Sequence, residues 1–100
     1  MALRGFPAAA RRAAGYQLYR VQKALDPNDW KPLPAVGLGV CEIRIHTALE
    51  HRVLFVARFP EAVYVLHAFE KRTRKTAARE IALARKRFSD LKAWRRAQER

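Results

Sequence analysis

An α+β domain is predicted by three features of this sequence: a helix, a three-stranded antiparallel meander and a second helix. Apolar residues recur at helical spacing toward each end, at Phe6, Ala10, Ala14, Leu18, Val21 and Leu25 and again at Ala77, Ile81, Ala84, Phe88 and Leu91. Between them lie three short runs rich in β-branched and aromatic residues, joined by connections of a few residues. The length of 100 residues gives one domain, 1–100, with room for a modest core.

The first helix, or helix pair, is expected over Pro7 to Leu25. Pro7 suits a first helical turn and Asp26-Pro27 closes the segment. Gly15 costs about 1 kcal/mol relative to alanine inside a helix, which predicts a bend or a helix-pair boundary there. The first 25 residues are Ala- and Arg-rich and free of acids, a composition that imitates a transit peptide. The regular periodicity favours a folded amphipathic helix instead. Residues 26–39 (DPNDWKPLPAVGLG) hold three prolines and two glycines and read as turn and loop, with Trp30 pinning the loop to the core.

Three strands follow. Val40 to His46 alternates, with Cys41, Ile43 and Ile45 on one face and Glu42, Arg44 and His46 on the other. Arg52 to Phe59 is the second and Ala62 to Glu70 the third. The third is apolar on both faces, which predicts a central place in the sheet. Thr47 to His51 and Pro60-Glu61 are short enough for hairpins. The last helix is expected from Thr76, an acceptable N-cap, to about Arg96.

Charge is the dominant compositional signal. The formal net charge is +12 and the isoelectric point about 11.1. Lys71 to Arg100 carries 12 of the 21 Lys and Arg residues against Glu80, Asp90 and Glu99. A strand that runs into so dense a cationic segment points to a polyanionic partner, of which nucleic acid is the commonest. With Cys41 the only cysteine, an intramolecular disulfide is excluded. No apolar stretch reaches the length of a membrane span.

Motifs for other chemistry are missing. His46, His51 and His67 have no metal-ligand spacing, and no phosphate loop or nucleophile elbow occurs. Neither a metal nor a cofactor is expected. Arg44 on the polar face of the first strand, Arg52 at the start of the second and Lys71 after the third can lie at one end of a meander. Arginine suits phosphate because its planar fork pairs two oxygens at once. His67, in the third strand, is the one acid–base side chain near them. The plainer readings are that Arg44 pairs with Glu42 or Glu70, that Arg52 is a solvated hairpin residue, and that His67 is a hydrogen-bonded core histidine.

The segments GVCEIRIH (39–46), RVLFVARF (52–59) and AVYVLHAFEKRTRKT (62–76) resemble phage-derived toxin-like proteins of the RelE/HigB group. The upstream GYQLYRVQKALDPNDWKPLPAVG (15–37) resembles that group's helix and loop, and the likeness runs from about Phe6 to Phe88. The resemblance implies a RelE-like sheet with helices and the toxin of a type II toxin–antitoxin pair. It further implies a cytoplasmic enzyme that cleaves mRNA, commonly on the translating ribosome, and a helix-turn-helix, HigA-like antitoxin as partner. A gyrase-directed toxin of the related ParE group and a decayed, non-catalytic RNA binder are the alternatives. Arg44, Arg52 and Lys71 match the group's recurring basic positions, with His67, Phe69 and Lys75 in the surrounding motif. Group members usually begin with an additional strand; here only MALRG precedes Phe6, so that edge strand is expected to be missing. The usual proline after the Lys-Thr run is Ala77.

The resulting expectation is a metal-independent endoribonuclease, since RNA carries its own nucleophile in the 2′-OH. Arg44 and Arg52 would hold the phosphate, Lys71 would clamp it or act as base, and His67 would move protons. Arg72, Arg74, Lys75, Arg79, Arg85, Lys86 and Arg87 would bind the RNA backbone. Arg52→Ala is expected to abolish cleavage while leaving the fold intact.

Overall fold

A computed structural model describes residues 2–99. A single 3₁₀ turn, Ala2–Gly5, leads into helix α1, Ala8–Gln22. Strands β1 (Trp30–Pro32), β2 (Val40–His46), β3 (Glu50–Val56) and β4 (Tyr64–Glu70) form one antiparallel sheet in the order β1-β2-β3-β4, and helix α2 spans Ala78–Gln98. The α+β class and the meander follow the sequence reading, with a fourth strand added at one edge.

That strand, β1, falls in the segment read as pure loop. Trp30, Lys31 and Pro32 pair with Ile43, Glu42 and Cys41 of β2. Pro32 has no N–H to donate, which an edge strand tolerates. Proline-rich composition thus concealed a strand too short to show a period of its own. Trp30 itself is exposed, and Leu33 and Val36 anchor this segment in the core instead.

The two faces of the sheet carry separate cores. On one, Phe6, Ala10, Ala14 and Leu18 pack on Ile43, Ile45, Val53 and Phe55. Ala10 and Ala14 are completely buried, so α1 lies close to the strands. On the other, Ala84 and Phe88 of α2 join Leu33 and Val36 over Val40, Leu54, Val56, Leu66 and Phe69. Gly37 is required here, because a Cβ at that position would lie 2.5 Å from Phe88 Cε2. Gly39 closes the turn into β2 at a φ of +83°, a conformation that favours glycine.

This layering corrects the placement of the third predicted strand. Tyr64–Glu70 is at the sheet edge; β2 and β3 lie between neighbours, and β3 is the more completely buried. Both faces of β4 are apolar because α2 covers one and the N-terminal turn, with the core beneath α1, covers the other, not because strands flank it on both sides. Two local readings also change. Helix α1 runs through Gly15 without a break, with Gly15 facing open space. The N-cap of α2 is Ala77, which makes no side-chain cap hydrogen bond, and Thr76 lies outside the helix.

Candidate functional site

The pairing of the strands decides which side chains meet. Arg44 lies directly opposite Arg52, and Arg52 lies opposite Phe69. The Lys71 N–H donates to Glu50 O at 2.8 Å, so Lys71 leaves the sheet beside the start of β3. Arg44, Arg52 and Lys71 therefore belong to one end of the sheet.

Two arginines facing each other across a ladder repel unless anions intervene. Three carboxylates do so. Arg44 Nη1 donates to Asp29 Oδ1 at 3.2 Å, and the Arg44 N–H donates to Asp29 O at 2.9 Å. Arg52 Nη1 donates to Glu50 Oε1 at 3.2 Å and to His51 O at 2.9 Å. Glu42 is 1% exposed, and its Oε1 has Lys31 Nζ at 3.9 Å, Arg44 Nε at 3.8 Å and Arg52 Nε at 3.9 Å. None of those contacts is a hydrogen bond, and both Glu42 oxygens are unpartnered among the described residues. Glu42 is thus a buried counter-anion inside a cage of three cations. The alternation of β2 placed Glu42 and Arg44 on one face, but its burial depends on β1 and β3, which the local pattern does not encode.

Arg52 is no solvated hairpin residue: its side chain is 8% exposed. Arg44 pairs with Asp29 and Glu42, whereas Glu70 pairs with Arg72 at 3.0 Å. His46 closes the cluster, with Nε2 at 2.6 Å from Asp29 Oδ2 and Nδ1 at 2.8 Å from Glu50 Oε1. The hydrogen bonds to Asp29 and Glu50 raise the His46 pKa above its ordinary 6.5, and the same contacts lower the pKa of both carboxyls.

Around the corner, where β4 hands over to α2, lies a cleft of about 340 Å³ lined by Phe69, Glu70, Lys71, Arg72, Thr73, Ala77, Arg79 and Glu80. Further along β4, behind the cleft, lies a β-bulge. The register passes from Leu54↔His67 to Phe55↔Val65, so Leu66 is the additional residue and Leu66 and His67 both turn toward α2. His67 is buried and stacks on Phe69 at 5.1 Å between ring centroids. Arg87 Nη1 is 3.0 Å from His67 Nδ1 and also donates to Leu66 O at 3.0 Å. A guanidinium can only donate, so Nδ1 is the acceptor and the ring hydrogen is on Nε2. That Nε2–H points to Glu80 Oε1 at 3.2 Å.

The basic residues divide into two groups. Lys71, Arg74, Lys75 and Arg79 have no carboxylate within ion-pair distance among the described residues, and Arg74, Lys75 and Arg79 are exposed. Lys71, Arg72 and Arg79 line the cleft, and Arg74 and Lys75 follow on the same loop. The others are committed elsewhere: Arg85 Nε donates to Ala35 O at 2.6 Å, Lys86 pairs with Asp90 at 2.9 Å, and Arg87 is turned to the sheet. The His51 ring is on the opposite face of the sheet, buried on the α1 side against Phe6. Among the described residues no group of three or more His, Cys, Asp or Glu could hold a metal ion. Likewise no helix is long and apolar enough to cross a membrane.

The family described as phage derived protein Gp49-like (DUF891) matches residues 1–89, which include every strand and the cleft. The chain belongs to the Gp49-like family. No curated protein and no solved structure matches it. In this Gp49-like chain the matched segment ends one residue past Phe88, the α2 side chain that closes the second core.

Proposed function

We propose that this Gp49-like protein is the toxin of a type II toxin–antitoxin pair, acting in the cytoplasm as a RelE/HigB-like, metal-independent mRNA endonuclease on the ribosome. A helix-turn-helix antitoxin of the HigA kind would hold it in check. The observation that carries the reading is a cleft at the end of the sheet lined by Lys71 and Arg79, cations without carboxylate partners among the described residues, with Arg74 and Lys75 exposed on the adjoining loop. A polyanion that enters the cleft meets charge that no protein carboxylate has already satisfied.

In this reading the scissile phosphate lies near Lys71, whose ammonium stabilises the charge that develops as the 2′-OH attacks. Arg44, one-third exposed, reaches the same end of the sheet. Arg52 acts from behind, through the electrostatics of Glu42, because its side chain is buried. Arg72, Arg74, Lys75 and Arg79 hold the flanking backbone. Arg85 and Lys86 are peripheral, and Arg87 serves His67.

A second reading, an RNA binder without catalysis, is favoured by one observation: Asp29, Glu42 and Glu50 neutralise Arg44 and Arg52. Induced expression separates the two. The nuclease reading predicts growth arrest and primer-extension stops within translated messages. Normal growth and intact transcripts at verified folded expression would establish the non-catalytic one.

A further inference from the structure

We propose that Glu80 is the general base of the cleft, and that His67 and Arg87 are the positioning residues that aim it. The inference rests on the endoribonuclease reading and adds to it a proton acceptor that the sequence did not reveal.

Three observations carry it. Glu80 lines the cleft beside Lys71 and Arg79, so its carboxylate can be approached from the side on which the cations are free. It is held from within: His67 Nε2 lies 3.2 Å from Glu80 Oε1, and Arg87 Nη1 lies 3.0 Å from His67 Nδ1. Because Arg87 occupies Nδ1 as a donor, His67 can offer Glu80 only its Nε2–H, and the ring cannot turn over without losing both contacts. Finally, His67 shares the α2 face with Phe69, two residues on in the same strand, and the bulge adds Leu66 to that face beside it. The side chain of His67 is 10% exposed and that of Glu80 is 17% exposed. The histidine is therefore sheltered behind the carboxylate, and the carboxylate is the member of the pair that can touch RNA. Arrangements in which a buried group orients an acid or base at a substrate cleft are a general route to proton transfer.

Glu80 takes the proton of the ribose 2′-OH. The 2′-oxygen forms a bond to phosphorus as the bond from phosphorus to the 5′-oxygen breaks. The Lys71 ammonium gives its proton to the leaving 5′-oxygen. The products are a 2′,3′-cyclic phosphate and a 5′-hydroxyl, and exchange with solvent returns the proton from Glu80 to Lys71.

The test is single-turnover cleavage of a defined message, free and on programmed ribosomes, at saturating protein, with RNA affinity and thermal melting measured on the same preparations. Glu80→Gln keeps an oxygen that accepts from His67 and removes only the basicity. Cleavage is expected to fall about a hundredfold or more, the range of general-base catalysis, with affinity and melting temperature close to wild type. Arg87→Leu is expected to lower the rate about tenfold and to shift the acidic limb of the pH–rate profile, with Arg87→Lys restoring much of both. An active wild type whose Glu80→Gln variant cleaves at full rate would overturn this inference alone. A folded wild type that cleaves neither free nor ribosome-bound message would overturn the endoribonuclease reading and this inference with it. If Glu80→Gln melts early, Arg87→Leu decides: an unshifted pH profile removes the relay.

Discussion

Replacing Arg52 with alanine is expected to damage the fold, contrary to the expectation for a solvated residue at the start of a strand. The Arg52 side chain is 8% exposed and that of Glu42 is 1% exposed, with Nε and Oε1 3.9 Å apart. Removing one partner of a buried ion pair costs about 3–5 kcal/mol, chiefly because the other charge is left in a poor solvent. Lys31 and Arg44 remain within 3.9 Å and 3.8 Å of Glu42, and Glu50 is partly exposed, so the loss belongs at the lower end. A loss of about 3 kcal/mol lowers the melting temperature of a domain this size by about 12–24 °C. Urea and thermal unfolding of wild type, Arg52→Ala, Glu42→Gln and the double variant measure it. The double variant should recover at least about 1 kcal/mol relative to the sum of the single losses. A loss below about 1 kcal/mol in Arg52→Ala, or an additive double variant, would refute the view that Arg52 stabilises a buried Glu42. Lost cleavage in Arg52→Ala therefore bears on chemistry only if folding is measured alongside.

Other outcomes follow from the same geometry. His46 has a raised pKa, so its contribution to stability is complete below its ordinary 6.5 and fades as pH rises through the higher folded value. Asp29 and Glu50 have lowered pKa values, so their contributions are present above 3.8 and 4.5 and fade as pH falls through the lower folded values. Thermal melts across pH, with an NMR titration of His46, should show the contribution of the Asp29–His46–Glu50 contacts strongest between those limits, and His46→Gln should lose the decline on the alkaline side. Neutralising Arg74, Lys75 and Arg79 together should weaken RNA binding and flatten its salt dependence by up to about 0.7 per lost contact. The equivalent change at Arg85 and Lys86 should do much less; equal effects would place the RNA along α2 instead of at the cleft. Gly15→Ala, in open space within a helix, should stabilise the protein by about 0.5–1 kcal/mol. Gly37→Ala, aimed at the Phe88 ring, should destabilise it by about 1–3 kcal/mol; denaturant midpoints of the two variants should move in opposite directions.

The amino-acid order by itself determined the helical stripes, the alternation of Val40 to His46, the hairpin connections and the cationic segment after Glu70. Each is written within a few residues, at a period of 3.6 or 2 or as a run of charge, and local physics reads it directly. It also placed Arg44, Arg52 and Lys71 at one end of a meander, because antiparallel connectivity alone requires it. Tertiary structure decided the rest. Trp30–Pro32 is a strand only because β2 offers it a partner, and β4 is apolar on both faces only because the N-terminal turn and α2 lie on opposite sides of it. Whether a charge is free or already satisfied depends on neighbours distant in sequence: Asp29 reaches Arg44 across 15 positions and Arg87 reaches His67 across 20. The unpartnered carboxylate of Glu42 and the Glu80–His67–Arg87 relay were invisible for that reason. Burial and hydrogen bonding are properties of the packed chain, and no local pattern carries them.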